Sequence, residues 1–196
     1  MDHYWQTVDG GFWFKPAYEK LFAALPNDRA SVWVEVGVFH GSSLCWLGVE
    51  IINSGKPVTI YAVDDFRGWP GVAQGDVLRD SFLRSTQQIN QLLGDQFEVC
   101  MKDSLTASRL FAEASCDVVW LDADHSYEGV KADIAAWWPK VKVGGTLGGD
   151  DWHQREFPGV VRAVDEAFTF PLHVVVGIGH RPGYGDWPYW TVQKPA

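Results

Sequence analysis

Apolar and polar positions along this chain alternate between two periods. Short runs rich in β-branched and aromatic residues recur at Ser31–Val36, Val58–Val63, Phe97–Met101, Asp117–Leu121 and Gly144–Gly149. Bounded by Gly, Pro and Asp, such runs predict buried strands. Between them lie stretches with apolar residues at helical spacing. One covers Pro16–Leu25, with Pro26-Asn27-Asp28 as the turn; the next opens near Ser42, carries Leu44, Leu47 and Ile51 on one stripe, and ends at Gly55-Lys56-Pro57. Further helices are predicted over Leu78–Leu93, from Asp103-Ser104 to Ala112, over Glu128–Val143 with Gly144-Gly145 as its stop, and over Gly159–Phe168. Two last strands, near Leu172–Val176 and Tyr189–Gln193, flank a loop rich in Gly, Pro and aromatic residues. Strict alternation of strand and helix predicts an α/β fold, a doubly wound and mostly parallel seven-stranded sheet with an antiparallel C-terminal edge.

Composition narrows the class. At 196 residues, 46% hydrophobic and 21% charged, the chain reads as one globular domain spanning 1–196. No apolar run approaches the roughly 18 residues of a membrane span, and the first residues lack a basic region followed by an apolar one. A cytoplasmic protein without a membrane partner is the expectation. The formal charge of -9 argues against nucleic acid, whose phosphates select clustered Lys and Arg. Cys45, Cys100 and Cys116 have no paired spacing and are expected to be buried, reduced thiols.

Candidate chemistry gathers at the strand ends. The run Val118-Val119-Trp120-Leu121 ends in Asp122, with Asp124 and His125 following; Gly144–Gly149 ends in Asp150-Asp151. Strand, helix, strand is a right-handed crossover, so both ends open on the carboxyl edge, where open α/β sheets bind ligands. Carboxylates and an imidazole meeting there suit a hard divalent cation. Each residue also has a plainer role. Asp122 or Asp124 could cap the next helix, and His125 could be an ordinary loop histidine, with His40 and His153 as its rivals.

A glycine-bearing turn, Glu35-Val36-Gly37-Val38-Phe39-His40-Gly41-Ser42-Ser43, joins the first strand to a helix N-terminus. Val38 or Phe39 stands where a dinucleotide fingerprint needs its second glycine, so a nucleoside ligand without a pyrophosphate fits better. Asp64 ends the second strand, where a carboxylate accepts from ribose hydroxyls, although Asp64-Asp65 could merely cap a loop. Asp103 and Ser104 follow the third strand on the same edge. Glu35 stays open between a ligand's amino group and the loop backbone.

Together these segments resemble the class I S-adenosylmethionine-dependent methyltransferases, a Rossmann-like family. Glu35-Val36-Gly37 through Ser43 resembles the first motif and Tyr61-Ala62-Val63-Asp64 the ribose-binding strand end. The segments Trp120–Val130 and Gly144–Trp152 resemble the metal-dependent O-methyltransferases, above all the macrocin O-methyltransferase type and more distantly catechol O-methyltransferase. The resemblance implies Asp122, Asp150 and Asp151 around Mg²⁺ and His125 as general base. It implies cofactor contacts from Glu35, Gly37, Gly41, Ser42, Asp64, Asp103 and Ser104. The expected acceptor is a small hydroxylated molecule, sugar-like or phenolic; Trp69, Trp152, Trp187 and Tyr184 are candidates for its pocket, with edge packing as the equal alternative. A homo-oligomer stays open. The rivals are a metal-free enzyme of the same fold and a non-catalytic cofactor-binding subunit, which would have no use for Asp122, His125 and Asp150-Asp151 together.

Overall fold

A computed structural model describes residues 1–68, 71–169 and 171–195; Trp69 lies outside them. The elements are α1 (Lys15–Ala24), β1 (Ser31–Val36), α2 (Ser42–Ser54), β2 (Val58–Val63), α3 (Gly75–Leu93), β3 (Phe97–Cys100), α4 (Ser104–Ser108), β4 (Cys116–Leu121), α5 (Tyr127–Trp137), β5 (Val141–Gly149), α6 (Pro158–Ala167), β6 (Val175–Arg181) and β7 (Gly185–Gln193). The seven strands form one sheet in the order β3-β2-β1-β4-β5-β7-β6. Pairings from β3 to β5 are parallel, and β7 runs antiparallel to both β5 and β6. The expected doubly wound sheet with an antiparallel C-terminal edge is the observed fold.

The central strands are covered on both faces, which is why they read as near-continuous apolar runs. Side-chain alternation sends Trp33, Val118 and Trp120 to a core with α1, α2 and α3, and Val34, Val36, Val119 and Leu121 to a second core with α5 and α6. No helix among the described residues is long and apolar enough to cross a membrane. The three cysteines are free, and Cys100 is half-buried rather than buried.

Two boundaries differ from expectation for local reasons. Helix α5 ends at Trp137 because Pro139 follows within a 3-10 turn, Trp138–Lys140, and β5 begins at Val141. The Gly144-Gly145 pair therefore does not stop a helix. It lies inside β5, at an irregularity where Cys116 pairs with Val141 but Val118 pairs with Thr146. The closing hairpin is also longer than its composition suggests: the Gly, Pro and aromatic residues expected to form a loop are mostly in register from Val175↔Thr191 to Arg181↔Gly185.

Alternation also decides the surroundings of Glu35. It shares a face with Trp33, is 1% exposed, and accepts hydrogen bonds from Tyr18 Oη (2.7 Å) and Ser43 Oγ (2.6 Å). Burial pushes its carboxyl up to about 8, against the pull of those two donors. The folded chain thus holds a proton there that the unfolded chain, with an ordinary carboxyl near 4.5, has already released. Stability from this group is full below the unfolded value and is lost as pH rises toward about 8. We expect the unfolding free energy from urea melts to fall across that window by an amount on the order of 4 kcal/mol, and Glu35→Gln, uncharged throughout, to flatten the slope. Parallel profiles for the two proteins would refute the assignment.

Candidate active site at the carboxyl edge

The turn after β1 is built around Gly37, at φ +86°. A Cβ there would lie 2.2 Å from the Asp122 carbonyl oxygen, so only glycine lets this turn pass the end of β4. The glycine turn and the acidic strand end are thereby one structure. Asp64, at the end of β2, ties the turn from the other side: Oδ2 accepts from Val38 N (2.9 Å) and Phe39 N (3.2 Å), and Oδ1 from Phe66 N (2.7 Å). Burial raises its pKa despite these bonds. Phe39 and Phe66 both have positive φ, 48° and 56°, a costly conformation that recurs where loops are held for a purpose.

The other residues expected at the cofactor are placed as follows. Gly41, N-cap of α2, packs where a Cβ would meet Phe82 and Thr86 of α3. Ser42 Oγ donates to the Trp5 carbonyl (3.1 Å) of the N-terminal segment. Asp103 caps α4 by accepting from Thr106 N (2.9 Å), and Ser104 Oγ donates to Asp133 (2.5 Å) while accepting from Trp137 Nε1 (2.9 Å). Glu35 faces α1 and Ser43. Gly37 and Asp64 therefore lie on the carboxyl edge itself, whereas the Ser42, Asp103, Ser104 and Glu35 side chains are engaged within the fold.

The acids converge as strand-end logic predicts. Asp122, His125 and Asp151 each offer a ligand atom, all within 4.8 Å of one another. His125 Nε2 stands 3.3 Å from Asp122 Oδ1 and 3.3 Å from Asp151 Oδ2. Asp151 adopts φ +58°, which breaks the strand alternation and turns its carboxylate toward Asp122. Trp187 Nε1, on β7, donates to its Oδ1 at 2.6 Å. Asp150, the third expected ligand, takes a separate position: it is 6% exposed, its Oδ1 has no hydrogen-bond partner, and it shares a small cavity with Leu121, Val130, Val160 and Trp190.

Burial first, then the neighbouring acids, raises Asp122 to about 6 and Asp150 well above the carboxylate range. His125 is pushed down by burial, but its bond to Asp122 and the charges of Asp122, Asp151 and Asp124 outweigh this and raise it. The cluster holds more acid than its imidazole can balance. Two carboxylates and an imidazole whose ligand atoms lie within 4.8 Å of one another, with the unpartnered Asp150 carboxyl next in sequence to Asp151, are a donor set that fits Mg²⁺.

Four further groups line this edge: Trp152, half-buried beside the acids; His153, stacked on Trp187 at 4.8 Å; Phe157, edge-on to His125 at 4.9 Å; and Tyr184, edge-on to Trp187. A larger cavity of about 370 Å³, lined by Trp5, Phe22 and Trp46 among others, lies between the N-terminal segment, α1 and α2. Its charged rim is paired internally, His3 with Glu50 and Lys15 with Glu19, and its two acids stand apart in these separate pairs instead of meeting in one cluster. The carboxyl edge is the better site despite its smaller cavity.

A family described as "Methyltransferase domain" matches residues 34–152, the segment from β1 to the Asp150-Asp151 pair and Trp152. Among curated proteins none matches the sequence. Solved structures similar in fold include an rRNA methylase from Streptococcus thermophilus (TM-score 0.66, 11% identity, 95% of this chain and 98% of that one). A SAM-dependent O-methyltransferase from Thermotoga maritima superposes with TM-score 0.62 at 12% identity, over 97% of this chain and 69% of the other. A Burkholderia thailandensis 1,6-didemethyltoxoflavin-N1-methyltransferase, solved with 1,6-didemethyltoxoflavin and S-adenosylhomocysteine, gives 0.60 at 16%, over 93% and 78%. The family match covers well over half of the chain, and the chain belongs to the methyltransferase domain family, with the Rossmann-like fold of class I methyltransferases.

Proposed function

We propose that this protein transfers a methyl group from S-adenosylmethionine to a hydroxyl of a small molecule, sugar-like or phenolic, with Mg²⁺ at the acid cluster and His125 as general base. The observation that carries the proposal is the contiguity of two features: the Gly37 turn touches the backbone of Asp122, and Asp122 meets His125 and Asp151 within 4.8 Å. Fold neighbours act on RNA, on oxygen and on a heterocyclic nitrogen, so fold alone does not choose an acceptor. The net charge of -9 disfavours RNA.

Methyl transfer from a sulfonium is an in-line displacement, and the protein's task is chiefly alignment and activation of the attacking oxygen. Asp122 and Asp151, with Asp150 behind them, would hold the ion, which when bound lowers the pKa of a coordinated hydroxyl. In this reading His125, whose Nε2 lies 3.3 Å from each of the two carboxylates, would take the hydroxyl proton. Gly37 and the Asp64-braced turn leave backbone open to the cofactor at the helix N-terminus. A metal-free variant of the same reading draws on one observation, that His125 itself bridges Asp122 and Asp151 as a cation would.

Titration calorimetry tests the cofactor half. S-adenosylhomocysteine is expected to bind, and Asp64→Ala to weaken it by roughly 1.5 to 3 kcal/mol, through lost bonds to the ligand and through the freed Val38–Phe39 amides. Unchanged affinity in the variant removes Asp64 from the site.

A further inference from the structure

Strand β7 continues past the end of β5. Gly149 pairs with Trp190, so residues 185–189 run on beyond the carboxyl edge, beside the acids. Trp152 N donates to the Pro188 carbonyl at 3.0 Å and fastens this extension to the strand-end loop. The tip of the hairpin, Arg181–Gly185, therefore stands as a wall over the proposed acceptor position.

Arg181 lies at that tip. Its guanidinium packs over Trp187 (4.4 Å) and Tyr184 (4.5 Å), with Trp13 of the N-terminal segment on a further side (5.9 Å). Trp187 is 2% exposed and bonded to Asp151, so the platform is fixed to the acid cluster itself. Arg29, Arg67, Arg79 and Arg162 each find a carboxylate, whereas Arg84, Arg109 and Arg155 have neither a carboxylate partner nor an aromatic platform of this kind among the described residues. Arg181 finds no hydrogen-bond or ion-pair partner among the described residues; its charge reaches the acids only through space, where it pulls the raised Asp150 carboxyl down a little. The two rings, set 77° apart, hold the guanidinium in place without offering it an oxygen acceptor, and its N–H groups match the two oxygens of a carboxylate or phosphate.

The geometry points to an acceptor that carries an oxyanion: a hydroxylated carboxylate or phosphate ester, its hydroxyl at the Asp122–His125–Asp151 cluster and its anionic group on Arg181. This rests on the methyl-transfer reading for the role of the hydroxyl, and the Arg181 contact is a specificity determinant for that same site.

Two probe pairs test it, each titrated calorimetrically into the full chain with MgCl₂, with and without S-adenosylhomocysteine: catechol against 3,4-dihydroxybenzoate, and ribose against ribose 5-phosphate. The anionic member of at least one pair is expected to bind about tenfold tighter or more, and which pair discriminates separates carboxylate from phosphate. Arg181→Gln should bring the two members of that pair within about threefold, and Arg181→Lys should retain part of the preference, as a point charge without the fork. Tyr184→Ala, at a ring 65% exposed and remote from the cores, gives a second variant that loosens the guanidinium and should erode the same preference. Equal binding within both pairs, or a preference that survives Arg181→Gln, overturns the inference. Failure of S-adenosylhomocysteine to bind would instead strike the methyl-transfer reading, leaving any anion preference measured without it intact.

Discussion

Exhaustive chelation of divalent cations is expected to abolish methyl transfer to any accepted hydroxyl, and added Mg²⁺ to restore it. The effect should be large, because a coordinated ion supplies several kcal/mol of stabilisation to developing negative charge, about 10³-fold in rate or more. Asp151→Asn is the matching substitution. Asn tolerates the positive φ that Asp151 adopts, and its amide oxygen can still accept from Trp187 Nε1. The change thus removes charge while keeping backbone and bond, and it should weaken Mg²⁺ or Mn²⁺ binding measured directly as well as turnover. Full activity after chelation would transfer the role to the metal-free variant, in which protonated His125 balances Asp122 and Asp151.

Much of this architecture was legible because it follows from local periodicity. The runs Ser31–Val36 and Val58–Val63 lie within the observed strands without revision, since both faces of a central parallel strand are apolar. The meeting of Asp122, His125 and Asp151 followed from one topological rule, that a right-handed crossover opens both strand ends on the same edge. What strand ends alone could not say is which of two consecutive acids turns inward. That depends on the backbone of Asp151 at φ +58°, held by a tryptophan 36 residues away in sequence. The same limit hid Arg181, whose rings come from its own hairpin, Tyr184 and Trp187, and from Trp13 of the distant N-terminal segment. The hairpin misled for another reason. Pro188 is tolerated in β7 because it precedes the stretch paired with β5, so its missing N–H costs the sheet nothing on that side. Glu35, left open by the sequence, was partly legible: alternation with Trp33 placed it toward a helix layer, and its partner Tyr18 required the fold.

His125 admits three roles that one substitution can separate. It contacts both carboxylates at 3.3 Å and lies edge-on to Phe157 at 4.9 Å, geometry compatible with a base, a ligand or a packing group. As general base it should contribute about 10²- to 10⁴-fold to rate, while metal and S-adenosylhomocysteine affinities stay near those of the parent. As a ligand it would take metal affinity down with turnover. As a packing group it would lower the unfolding midpoint and leave turnover of folded protein nearly intact. We expect His125→Ala to follow the first pattern: folded, loaded with metal and cofactor product, and nearly inactive. Should turnover remain within a few-fold of the parent, the proton must leave by another route, and His153, stacked on Trp187 beside Asp151, becomes the residue to substitute.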